Sequence, residues 1–146
     1  MKGFLLDTMV PSELTRPKPE PGVARWLTDT DDDQLHFSVI SIGEICKGFT
    51  MHREEHRRDH LRQWLENTLR PWFAGRILPV SEAICERWGM LDGQCQLRGM
   101  TLSAPDGLIA ATALEHDLTL VTRNVKDFTG LGVAIVNPWL EPGTNL

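Results

Sequence analysis

The residues of this 146-residue chain with chemistry to offer are carboxylates at the ends of apolar runs. Asp7 stops the apolar run from Gly3 to Leu6, Glu44 stands three residues after Ser41, and Asp106 stands three residues after Ser103 with Pro105 between. A serine followed at plus three by an acid marks a helix start: the hydroxyl accepts a backbone N–H and the helix dipole favours the negative charge. Capping alone accounts for Glu44 and Asp106, and a turn or cap accounts for Asp7. Their company points further, because the β-rich run from Leu118 to Thr122 also ends at polar residues, Asn124 to Asp127. In an open α/β sheet the carboxyl ends of the strands share one rim, and ligands bind there. Acids gathered on such a rim repel one another unless they share a proton or a divalent cation. With oxygen donors, no His or Cys and no Ser/His/acid set, the chemistry is that of Mg²⁺ or Mn²⁺, which lowers the pKa of a water and neutralises charge on a phosphodiester.

The elements that must position these acids alternate along the chain. Short apolar or β-rich runs at residues 3–6, 35–40, 76–80, 118–122 and 132–136 read as strands, each too short for a helix. Between them, helical patterns begin near Val23, Ser41, Ser81 and Ser103, and an amphipathic stretch from His52 to Phe73 carries Leu61, Trp64, Leu65, Thr68, Leu69 and Trp72 on one face. Strands alternating with helices predict a parallel sheet covered on both faces. The prolines of residues 16–22 make a stiff connection, and Asp31, Asp32 and Asp33 read as a solvated turn without chemistry. His52, His56 and His60 have a zinc-compatible spacing but no partner thiol or carboxylate. The neighbouring Arg53, Arg57, Arg58 and Arg62 are balanced by Glu54, Glu55 and Asp59, with Glu54 and Arg58 an expected pair, and tracking a phosphate backbone is the alternative role open to these arginines.

Composition narrows the class. At 146 residues and 41% hydrophobic content the chain suits one domain, expected over residues 1–140 with a tail at 141–146. Three scattered cysteines exclude a disulfide framework, and the absence of a long apolar run excludes a membrane span; a cytoplasmic protein is the expectation. A net charge of −5 provides no global field for nucleic acid, so an RNA substrate requires a local basic patch or metal ions. A phosphoryl-accepting Asp7 would call for a second Asp two residues on, where Met9 stands.

Long ordered segments carry a family resemblance: Leu5 to Thr8, Ser38 to Ile45, Phe73 to Pro79, Ala104 to Ala113, Leu120 to Phe128 and Asn137 to Trp139. Together they resemble the PIN-domain toxins of the VapC and FitB type. The resemblance implies a three-layer α/β/α PIN domain with a central, mainly parallel twisted sheet. It also implies a Mg²⁺- or Mn²⁺-dependent endoribonuclease, the toxin of a type II toxin–antitoxin pair. By position, Asp7, Glu44 and Asp106 resemble the family's core acids, Asn124 or Asp127 its fourth position, and Thr122 its supporting hydroxyl. The implied partners are a VapB- or FitA-like antitoxin, RNA, operator DNA through the antitoxin alone, and a second copy in a homodimer. Met9 replaces an Asn common in relatives, so the alternative is a catalytically weak or silent PIN module that binds antitoxin or RNA.

Overall fold

The computed structural model describes residues 3–140, so the tail expected at 141–146 lies outside the described residues. Its elements are β1 (Phe4–Leu6), α1 (Met9–Ser12), α2 (Pro21–Asp29), β2 (Leu35–Ser38), α3 (Val39–Met51), α4 (Glu55–Trp64), a π-helical segment (Leu65–Leu69) and α5 (Arg70–Trp72). They are followed by β3 (Ile77–Leu78), α6 (Glu82–Leu97), α7 (Ala104–Glu115), β4 (Thr119–Val121), a 3₁₀ turn (Val125–Phe128) and β5 (Ile135–Val136). The five strands form one sheet in the order β3-β2-β1-β4-β5, and every pairing is parallel.

Side chains alternate across a strand, and here the alternation sorts the core into two layers. Leu6 and Val121 join Val23, Leu27, Phe37, Ile45, Phe49, Leu65 and Leu69 on one face, under α2, α3 and the π-helical segment. Leu5 and Leu120 join Cys95, Ile109, Ala110 and Ala113 on the other, under α6 and α7. Burial of both faces explains why the strands read as continuous apolar runs, and it produces the expected α/β/α layering.

Two local expectations are corrected. β2 ends at Ser38 instead of continuing to residue 40, and Ser38, not Ser41, caps the next helix, its Oγ accepting from the Ile40 N–H at 3.0 Å. Glu44 therefore sits beyond the first turn of α3, and Ser41 is buried within it. The reason is tertiary: Ser38 is registered against Leu78 of β3, which holds it extended and starts the helix directly after it. Second, the helix expected from residue 52 begins at Glu55, because Arg58 donates to the carbonyls of His52 (2.7 Å) and Arg53 (3.1 Å) and ties a corner between α3 and α4. That use of Arg58 replaces the expected pairing with Glu54, and the corner ends any regular spacing through His52. The π-helical segment then shifts the helical phase, which leaves Thr68 exposed. Asp31, Asp32 and Asp33 are exposed as expected, and Asp32 also accepts from the Trp72 indole N–H at 3.0 Å while its carbonyl accepts from Arg76.

Candidate active site

β1 and β4 are neighbours although far apart in sequence, so the strand order reverses between them, and crevices open at such switch points. Asp7 leaves β1 there. Its N–H still pairs with the Val121 carbonyl at 2.9 Å, so its backbone is fixed as an extension of the sheet. The carboxylate is held as firmly: Oδ1 accepts from the Thr8 N–H at 2.9 Å, and Oδ2 accepts from the Thr122 hydroxyl at 2.8 Å. Thr122, fully buried at the end of β4, in turn accepts the Asn124 N–H at 3.0 Å. The Thr8 hydroxyl donates to Glu44 Oε1 at 2.6 Å, linking the end of β1 to α3. Asp106 arrives from the start of α7, its N–H bonded to the capping Ser103 Oγ at 3.3 Å, so the capping arrangement and a place in the site coexist.

Asp7, Glu44, Asp106 and Asn124 line a single cavity of about 480 Å³. Its remaining wall is largely apolar, with Met9, Ile45, Phe49, Leu61 and Trp64, and Arg57 supplies the one positive charge among its lining residues. The α3–α4 corner is what brings Glu44 of one helix and Arg57 of the next to this cavity. Asp127 does not line it; it faces an adjoining cavity that shares Asn124. Sequence reasoning missed one contributor, Thr8, for which the Asp-Thr pair at a strand end was a usable signal. Arg57 was one of four arginines with a phosphate-tracking role open to them, and the charges interleaved around it hid which of the four reaches the site.

Burial raises the Asp7 carboxyl from 3.8 to about 6, with the Asp106 and Glu44 charges pushing the same way and the Thr122 and Thr8 bonds opposing. Asp106 is also raised, first by burial and then by the charges of Asp127 and Glu44. Asp7, Glu44 and Asp106 have no arginine or lysine ion pair among the described residues. Among those residues no group of three His, Cys, Asp or Glu side chains is arranged to enclose a metal ion. The donor set still fits a hard cation. Mg²⁺ retains several waters and takes one or two protein carboxylates, so it needs oxygen ligands and space rather than a closed cage. Mutually repelling, unpaired acids beside an open cavity supply both.

A parallel, doubly covered sheet with acids at its switch point defines an α/β/α protein with an acidic crevice. The chain belongs to the PIN-domain family, whose sequence profile matches residues 4–131. It is 36% identical over 136 residues to Toxin FitB of Neisseria gonorrhoeae, covering 93% of this chain and 98% of that protein. It is 33% identical over 139 residues to a VapC ribonuclease of Sinorhizobium fredii, covering 95% and 99% of the two chains. The crystal structure of FitAcB from Neisseria gonorrhoeae superposes with a TM-score of 0.87 at 36% identity, over 94% of this chain and 99% of that one. A structure of FitAB bound to a DNA fragment superposes at 0.85 and 34% identity, over 93% and 95%.

Proposed function

We propose that this PIN domain is the toxin of a toxin–antitoxin pair and a Mg²⁺- or Mn²⁺-dependent endoribonuclease that hydrolyses RNA phosphodiester bonds. The observation that carries the reading is the convergence of Asp7, Glu44 and Asp106 in one cavity, none of them ion-paired to an arginine or lysine among the described residues. These three residues would hold the divalent ion. When bound, the ion lowers the pKa of a water and offsets charge on the scissile phosphate. The chain's own contribution is positioning: Thr122 and the Thr8 N–H fix both oxygens of Asp7, and the Thr8 hydroxyl fixes Glu44. Arg57 offers a phosphate a positive charge within the same cavity, and Asn124 serves as the fourth polar residue there in preference to Asp127.

A FitA- or VapB-like antitoxin is the proposed partner, supported by the FitA-containing complexes to which the fold is similar. An antitoxin arginine is suited to occupy the acid cavity, since guanidinium pairs bidentately with carboxylates. DNA binding then belongs to the antitoxin. Exposed Met90, Leu97 and Met100, on α6 and the turn after it, support a homodimer face. Among the described residues no helix is long and apolar enough to cross a membrane, and we place the protein in the cytoplasm with residues 1–140 acting as one unit.

The test is incubation of antitoxin-free protein with total RNA in Mg²⁺, in Mn²⁺ and in chelator, beside Asp106→Asn. The expected result is cleavage only with metal, and its loss in the variant. Cleavage that survives chelation overturns the metal mechanism. A folded Asp106→Asn that cuts normally reduces Asp106 to a helix cap. A native chain that binds antitoxin but cuts no RNA supports the silent-module reading, which Met9 favours.

A further inference from the structure

We propose that the cavity adjoining the acid site, about 370 Å³ and lined by Arg123, Asn124, Lys126, Asp127 and Asn137, is the subsite for the next phosphate of the RNA strand. The inference rests on the ribonuclease reading and deepens it. An acid site in a chain of net charge −5 repels the strand it must hold, and a single metal ion compensates only near the bond to be cut. Cations are needed one step along the backbone.

Arg123 and Lys126 are both exposed, and neither has an ion-pair partner among the described residues. They set two positive charges against the one carboxylate of Asp127. Arg123 is not left to wander: its guanidinium lies over the Trp139 ring, 5.5 Å from the centroid, which holds the planar group in place while its N–H donors remain available. Asn124 lines both cavities, so the two meet at that residue. The distance between them is also fixed by covalent and hydrogen-bonded structure. Asp7 accepts from Thr122, Thr122 accepts from the Asn124 N–H, and the Asn124 carbonyl accepts from the Asp127 N–H at 3.1 Å to close the turn that carries Lys126. A strand whose scissile phosphate sits at Asp7 thus meets Arg123 and Lys126 in a set register.

The test uses the full chain carrying Asp7→Asn, which retains the site but not cleavage, and a short labelled single-stranded RNA titrated at several salt concentrations. Adding Arg123→Ala and Lys126→Ala should weaken binding on the order of tenfold at low salt. It should also flatten the slope of log affinity against log salt by about 0.7 for each cation removed. A control pair, Lys18→Ala with Arg25→Ala, removes the same charge from exposed positions outside both cavities and should change binding far less. Arg123→Gln with Lys126→Gln repeats the measurement with longer side chains, and thermal melts check folding of each form. Equal losses in the site pair and the control pair overturn the subsite and leave only a general charge effect. An unchanged RNA affinity with weakened antitoxin binding overturns it in favour of a protein contact. The ribonuclease reading fails separately, if the chain without substitutions cuts no RNA in Mg²⁺.

Discussion

Asp7→Asn should make the metal-free protein more stable while abolishing its activity, and the gain should depend on pH. The folded protein holds the Asp7 proton more tightly than the unfolded chain does, since burial lifts its pKa from 3.8 to about 6. Ionisation therefore opposes folding: the penalty is absent below about pH 3.8, grows as pH rises towards 6, and is complete above. At about 1.36 kcal/mol for each tenfold change in proton affinity, that rise amounts to roughly 3 kcal/mol, and Asp7 is only 4% exposed, so solvent does little to screen it. The amide keeps one acceptor for the Thr8 N–H, and the Thr122 hydroxyl can turn to accept from the new amide N–H, so few bonds are lost. In chelator at pH 8 the variant should melt up to about 6–12 °C above the native chain, and near pH 4 the two should converge. Urea titrations across this range, with and without Mg²⁺, measure the effect. Mg²⁺ should restore stability to the native chain and do little for the variant. A stability difference that does not vary with pH, or a native chain more stable than the variant at pH 8 in chelator, would refute the argument that the acid cluster is strained for metal.

Thr122→Val removes the hydroxyl that stabilises the Asp7 carboxylate, so Asp7 should ionise at higher pH still, and the acidic limb of the cleavage profile should move upward; an unmoved limb means Asp7 does not govern it. Met9→Asn should raise cleavage, because Met9 offers the Thr122 hydroxyl only a thioether at 3.9 Å where an amide could both donate and accept; equal rates at equal stability dismiss Met9 as a weak point. Gly107→Ala should destabilise by roughly 1–3 kcal/mol in urea titration despite the better helix propensity of alanine, since the new Cβ would stand 2.6 Å from Trp88 Cδ1.

Much of the fold and site was legible where the signal was local. A parallel strand buried on both faces must be apolar along its length and must change character where it reaches the rim, so Asp7 and the turn after Thr122 announced themselves. The start of α7 was equally plain, because Ser103, Pro105 and Asp106 satisfy the first turn within a few residues of one another. What lay beyond reach depended on partners distant in sequence. Ser38 and Ser41 are both competent caps, and only the register of Ser38 against Leu78 decides between them. The α3–α4 corner depends on which carbonyls one arginine reaches, and the requirement for Gly107 depends on a tryptophan from α6 lying against it. Asn124 and Asp127 are three residues apart and chemically similar, yet Asn124 lines the acid cavity as well as the adjoining one, while Asp127 lines only the latter. The residue types of the site were thus set by the sequence alone, because oxygen donors at strand ends are a property of local order. Their pKa values, hydroxyl supports and cationic neighbours were decided only by tertiary structure, because burial and charge–charge energy depend on distances that the chain acquires when β1 pairs with β4.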